Sequence, residues 1–272
     1  MYFMEIIAFI LAGLVGVSLG LIGSGGSILT MPILVYILGV NPVLATAYSL
    51  FIVGSTALVG GIQNAMNKLV DFKTLFIFGI PSIIAVYVTR SYIMPIIPDP
   101  VLSIGSFALS KPMALMLLFA VIMIMASLSM IRTPKSSNTN IDENAPLQYN
   151  YPMILLEGTV VGVLTGLVGA GGGFLIIPAL VLLAKMPMKK AVGTSLFIIA
   201  AKSLIGFVGD LQGHETIDWM LLGGFTFFAV LGIFVGIYLS KRVPAAGLKK
   251  GFGWFVLVMG IYIIIKETLL KK

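Results

Sequence analysis

Gly23-Ser24-Gly25-Gly26-Ser27 and Gly169-Ala170-Gly171-Gly172-Gly173 are two short glycine-rich runs set into apolar sequence. Each closes one apolar stretch and opens another. The stretches that follow, 27–39 and 174–185, are too short to cross a bilayer. At ~1.5 Å per residue they cover only about 18–20 Å of a ~30 Å hydrocarbon core. Backbone broken at membrane depth is tolerated only where it is buried in protein or lines a polar cavity. Broken helices of this kind hold the solute in many secondary transporters.

The runs are offset by 169 − 23 = 146 residues, and the same offset aligns much more. Val15-Gly16-Val17 falls on Val161-Gly162-Val163, Gly20-Leu21 on Gly166-Leu167, and Pro32 on Pro178. Leu34-Val35 falls on Leu180-Val181, Ala45 on Ala191, Ser49-Leu50-Phe51-Ile52 on Ser195-Leu196-Phe197-Ile198, and Gly60 on Gly206. After a shift of one residue, Val70-Asp71-Phe72 meets Ile217-Asp218-Trp219. The chain is an internal duplication.

Composition sets the class. Of 272 residues 59% are hydrophobic and 10% charged, and the mean hydropathy is +1.11. Soluble domains carry about 25% charged residues, so this is a polytopic membrane protein. Absence of cysteine excludes disulfides and thiolate metal sites. The net charge of +7 comes from Lys and Arg in short loops, which fits membrane orientation and not nucleic-acid binding. The N-terminus, Met1 to Glu5, lacks the basic region of a signal peptide, so the first apolar segment reads as a retained helix.

Ten apolar segments are expected to be helical: 5–22, 27–39, 43–66, 72–94 and 112–131, then 152–168, 174–185, 190–211, 217–240 and 248–269. The expected fold is an all-α polytopic membrane protein of two inverted-topology repeats. Each repeat carries a glycine-broken helical hairpin, with about eight full spans in all plus short segments. The repeats are 1–131 and 152–272, joined by a polar, proline-punctuated linker at 132–151. The loop 95–111 is less polar and is expected to fold onto the membrane surface.

One set of loops and flanks holds Lys68, Lys73, Arg132, Lys135, Lys185, Lys189, Lys190, Lys241, Arg242, Lys249 and Lys250. The other holds Arg90, Lys111, Lys266, Lys271 and Lys272. Eleven against five places the first set and the central linker in the cytoplasm, with both termini outside.

The chemistry is expected at the glycine runs. The first N–H groups of the helices starting near Ser27 and Gly173 have no intrahelical partner and, with the helix dipole, form an anion site. Candidate solute ligands are Gly23, Ser24, Gly25, Gly26 and Ser27 in one run and Gly169, Gly171, Gly172 and Gly173 in the other. Ser49, Thr194, Ser195 and Lys202 complete the set. Lys202 lies mid-segment, where a lysine costs about 2.5–3.5 kcal/mol to insert and so faces a partner or a cavity. It could hold an anion or carry a coupling proton; the alternative is a structural ion pair with Glu157, itself a candidate for proton coupling. The outer pairs Gly16/Gly20, Gly162/Gly166 and Gly232/Gly236 read as helix packing. Asp210, His214, Glu215 and Asp218 cluster at one external loop as mouth-lining or solvated groups. No P-loop signature follows either glycine run, and Gly16-Val17-Ser18-Leu19-Gly20 matches a nucleophile elbow only by accident, inside an apolar helix. No cofactor or metal is implied.

The repeated pattern resembles the sulfite exporter TauE/SafE family of membrane anion permeases. The resemblance rests on Gly23-x-Gly25-Gly26 through Pro32-x-Leu34 and Ala45-x-x-x-Ser49-Leu50. It is repeated in Gly169-x-Gly171-Gly172-Gly173 through Pro178-x-Leu180 and Ala191-x-Gly193-Thr194-Ser195-Leu196. It implies an inverted-repeat transporter of the cytoplasmic membrane, often an exporter. The expected function is secondary transport of a small anion such as sulfite, thiosulfate, a sulfonate or a carboxylate, with protons a candidate coupling ion. An anion channel is the alternative and a membrane-embedded enzyme a distant third. Oligomeric state, exact solute and direction are not legible in the sequence.

Overall fold

The computed structural model describes residues 2–23, 26–104, 107–132, 151–169, 171–183, 186–211, 217–240, 242 and 245–269. Each apolar segment is a helix. The first half contains α1 (Tyr2–Ile22), α2 (Ser27–Tyr36), α3 (Pro42–Met66) and α4 (Phe72–Val88). A π turn, Thr89–Ile93, carries α4 into the short α5 (Met94–Ile96), and α6 (Lys111–Arg132) ends the half. The second contains α7 (Tyr151–Val168), α8 (Gly173–Leu183), α9 (Met188–Asp210), α10 (Trp219–Ser240) and α11 (Ala245–Leu269). The central linker lies outside the described residues apart from its ends.

Local chemistry sets the helix starts. Asn41 caps α3 by accepting the Val43 N–H at 2.9 Å, with Pro42 opening the helix. Asp71 caps α4 by accepting the Thr74 N–H at 2.7 Å. At α2 the cap is Gly26, which has no side chain to cap with.

Among the described residues, five helices are long and apolar enough to cross a membrane: Pro42–Met66, Phe72–Ile96, Lys111–Leu128, Lys189–Asp210 and Trp219–Ser240. Ile7–Ile22, Ser27–Tyr36 and Pro152–Val168 are shorter apolar helices. Phe76, Ile80, Ile84 and Val88 recur every four residues on α4, all exposed. Such a greasy outer stripe belongs in lipid, and the chain is a multi-pass membrane protein.

The loop before α6 departs from the all-helical expectation. It carries two short antiparallel strands, β1 (Leu102–Ile104) and β2 (Phe107–Leu109), with Leu102 opposite Leu109 and Ile104 opposite Phe107. Pro98 and Pro100 follow the helix end at Ile96 and bar its continuation, and Gly105-Ser106 between apolar residues is a hairpin signal that a search for helical period passes over.

The halves interlock through equivalent contacts. α3 and α9 cross antiparallel: Gly54 sits against Leu204 and Gly61 against Phe197. α1 packs on α10, where a methyl on Gly16 would lie 2.9 Å from Ile233 N and one on Gly20 2.8 Å from Gly236 Cα. α7 packs on α4 in the same way, with Gly162 against Ala85 and Gly166 against Thr89. Gly16, Gly20, Gly232 and Gly236 thus let two backbones touch, which is the packing role expected of them.

Candidate solute site

The two glycine turns open in the same backbone conformation but close differently: Gly26 has φ of −63°, while its equivalent Gly172 (172 − 146 = 26) is left-handed. Gly23 and Gly169, one offset apart, have φ of +81° and +74°, and Gly171 and Gly172 have φ of +66° and +59°. L-residues with side chains rarely adopt this left-handed region, and that is the reason for glycine here. Ser24 and Gly25 lie outside the described residues.

The turns lie against each other's half. Gly23 packs on Val192 of α9 and Ile177 of α8, and Gly169 packs on Thr46 of α3. A methyl on Gly171 would lie 3.6 Å from Ser27 Cβ, with Val53 and Ile199 as its other neighbours. The start of α2 therefore meets the turn that starts α8, near the middle of α3 and α9. Gly26, Ser27, Gly171, Gly172 and Gly173 are all buried.

Lys202 closes the junction. It is 0% exposed, and its Nζ donates to Thr165 Oγ1 of α7 at 3.0 Å. A methyl on Gly172 would lie 2.8 Å from that Nζ. No carboxylate among the described residues pairs with Lys202. The alternative ion pair with Glu157 is not formed. Glu157 lies 165 − 157 = 8 residues before Thr165 on α7, about 12 Å along the axis. It is half-buried, and its Oε2 has no partner among the described residues.

The hydroxyls divide. Ser49 Oγ is buried without a partner among the described residues, on the α3 face shared by Thr46 and Val53, so it lies alongside the second glycine turn. Ser195 Oγ is spent locally on the Val192 carbonyl at 2.9 Å. Thr194 Oγ1 accepts the Asp71 N–H at 2.9 Å, and Tyr48 Oη accepts the Asp218 N–H at 2.6 Å at the equivalent corner. Thr194 therefore ties α9 to the start of α4, away from the glycine junction.

One charge was misplaced by the loop count. Arg90 is not a loop residue: it sits in the π turn, 2% exposed. Its Nη1 donates to Thr46 Oγ1 at 2.8 Å and pairs with Asp210 Oδ2 at 3.3 Å. Asp210 is likewise an ion-pair partner and not simply solvated, while His214 and Glu215 lie outside the described residues. Arg90 falls inside the apolar segment 72–94, four residues from its end, and that position was the available signal. Thr165, the partner of Lys202, gave none, because its equivalent is Leu19 (165 − 146 = 19).

A family model described as "Sulfite exporter TauE/SafE" matches residues 8–263. The chain belongs to the sulfite exporter TauE/SafE family. A "Probable membrane transporter protein" of Xylella fastidiosa (strain 9a5c) is 30% identical over 255 residues, covering 93% of this chain and 92% of that protein. YunE of Bacillus subtilis, also named a probable membrane transporter, is 29% identical over 289 residues, with 96% of each chain covered. The archaeal MJ0441 of Methanocaldococcus jannaschii, with the same description, is 25% identical over 267 residues. No solved structure matches. This TauE/SafE protein is thus a membrane transporter, and the likeness extends across the broken helices and nearly the whole chain.

Proposed function

We propose that this TauE/SafE protein is a secondary transporter of a small anion: sulfite, thiosulfate, a sulfonate or a related carboxylate. The observation that carries the reading is Lys202, fully buried, unpaired with any described carboxylate, and held against Gly172 in the turn that opens α8. A buried cation without a counter-ion is costly unless an anion completes it.

The proposed site is the junction of the two turns. N–H groups of the first turns of α2 and α8 aim a positive helix end at it. Lys202 Nζ supplies full charge and Ser49 a hydroxyl. An oxyanion there replaces its water shell with fixed dipoles, and its charge offsets that of Lys202. Ser195 and Thr194 support the helices around this set and are not counted among its ligands.

We further propose two inverted repeats, 1–131 and 152–272, with about eight full spans. The antiparallel crossing of the equivalent helices α3 and α9 supports this, as do the exchanged contacts of α1 with α10 and α7 with α4. Burial of the described junction residues suits an occluded state, and rocking of the halves would open it to either side in turn. The protein is placed in the cytoplasmic membrane with the linker inside and both termini outside. Moving the buried Arg90 out of the loop tally leaves eleven basic residues against four, which strengthens that orientation. Lys202 and Glu157 are the candidates for proton coupling.

The test is flux into proteoliposomes of sulfite, thiosulfate, methanesulfonate and acetate, each with and without a pH gradient. Saturable flux of one anion that Lys202→Met removes supports the reading. Absence of flux for every anion refutes it, and currents far above carrier turnover refute alternating access.

A further inference from the structure

We propose that Arg90 is a second anion-binding group, at the end of the path opposite the Lys-rich loops, and that an arriving solute takes it over from Asp210. This rests on the anion-transport reading above.

Arg90 is buried yet poorly satisfied. Its guanidinium carries five N–H donors. Nη1 alone makes every contact: Thr46 Oγ1 at 2.8 Å and the two Asp210 oxygens at 3.3 and 3.4 Å. Those last two are long for an arginine–carboxylate pair, which is normally bidentate through two nitrogens at about 2.7–2.9 Å. Nε and Nη2 are buried with no hydrogen-bond partner among the described residues. Native proteins seldom leave such donors empty, and each one calls for an explanation. Nε and Nη2 form one edge of the guanidinium fork, the edge that takes two oxygens of a carboxylate, sulfonate or sulfite.

The place is right for a stop on the way to Lys202. Thr46, which holds Arg90 Nη1, is also the residue against which Gly169 packs. One turn further along the same face of α3 comes Ser49, whose buried hydroxyl has no partner among the described residues. Beyond it lies Val53, against Gly171. On α9, Asp210 is 210 − 202 = 8 residues past Lys202, about 12 Å along the axis. The π turn at Thr89–Ile93 adds a residue to the helical turn at this point, a feature that recurs at functional sites.

Anion binding to purified protein tests this, with sulfite, thiosulfate, methanesulfonate and acetate as probes. Asp210→Asn removes the rival carboxylate, and the Kd of the bound probe should fall about tenfold, the worth of one charge-assisted hydrogen bond. Arg90→Lys keeps the charge but loses the fork, and Kd should rise by a similar factor. The double variant Arg90→Gln/Asp210→Asn removes both members of the pair together, is checked for folding by its melting temperature, and should lack the gain of Asp210→Asn. A merely structural ion pair would shift the melting temperature of these variants and leave Kd at its wild-type value, and that result overturns the proposal. If wild type binds a probe and Lys202→Met abolishes binding while the Asp210 and Arg90 variants leave it unchanged, only the Arg90 role falls. If wild type binds none of the probes, both readings fall together.

Discussion

Replacing Lys202 by methionine separates a ligand from a structural cation, because the two roles move stability in opposite directions. Methionine keeps the apolar stem and removes the ammonium. Lys202 is fully buried and bonded to Thr165 Oγ1 at 3.0 Å, with no carboxylate partner among the described residues. The variant loses one charge-assisted hydrogen bond, worth ~1.5–3 kcal/mol. It is relieved of an uncompensated charge that costs ~2.5–3.5 kcal/mol at mid-span. The freed Thr165 hydroxyl can turn to a carbonyl one turn back on its own helix. The balance runs from roughly 0.5 kcal/mol against to 2 kcal/mol in favour of the variant without anion, so its melting temperature should hold or rise. With anion the sign reverses. An ammonium has three N–H groups, and two remain for solute; at ~1.5 kcal/mol each their loss weakens binding by roughly 100-fold. The assay is thermal unfolding of purified protein across an anion titration, paired with flux. A lower melting temperature with undiminished anion affinity would refute the reasoning, since it would make Lys202 a structural donor to Thr165.

Gly172→Ala should insert normally and lose at least tenfold in flux. The residue has φ of +59°, and its new methyl would crowd Thr165 Oγ1 and lie 2.8 Å from Lys202 Nζ. Gly39→Ala is the control, with φ of +68° and nothing within 4 Å of the added methyl; if both variants lose flux equally, backbone strain and not crowding of Lys202 is responsible. Thr194→Val should lower the melting temperature and leave anion affinity unchanged, because it strands the Asp71 N–H at a cost of ~1–3 kcal/mol. A large loss of affinity at full stability would return Thr194 to the ligand set.

The helices were legible because membrane burial demands continuous apolar runs, so their ends fall within a few residues of the expected ones. Both glycine turns were legible because glycine reaches φ near +60 to +80° without the steric cost other residues bear, and duplication repeats the signal. Side-chain partners were less so. Lys202 could be flagged by its depth, but the identity of its partner depends on how α7 crosses α9, which no period encodes. Glu157 was the attractive guess from charge alone, and Thr165 takes the contact. Thr194 and Ser195 share sequence neighbourhood and polarity with the site, yet one accepts the N–H of Asp71, the cap residue of a neighbouring helix, and the other bonds its own helix. Arg90 was lost to a convention: a basic residue near a segment end is counted as a loop charge. That holds for a helix facing lipid, but fails where a π turn and Asp210 hold the side chain inside.

The scaffold is duplicated, while the charges are not. The contacts of Gly20 with Gly236 and of Gly166 with Thr89, and the bonds of Thr194 and Tyr48, recur across the offset. Carrying the offset to the buried charges gives different residues: Thr56 for Lys202 (202 − 146), Asn64 for Asp210 (210 − 146) and, with the one-residue shift, Ile237 for Arg90 (90 + 147). Thr46, the partner of Arg90, becomes Val192. On the rocking mechanism proposed above, two halves that pack alike would give two conformations of similar energy. Charges on one side alone make the two openings unequal electrostatically. On the anion-transport reading proposed above, an anion entering at the Arg90 end would meet, among the buried charges, the Arg90–Asp210 pair before Lys202; from the other end Lys202 would be the first. Because Asp210 offsets Arg90, the roughly 1.4 kcal/mol that a unit charge exerts at ~12 Å in an effective dielectric of about 20, a tenfold difference in occupancy, is felt only once that carboxylate is displaced. On that proposal the duplication supplies the moving frame, and the residues that escaped it supply the bias between its two faces.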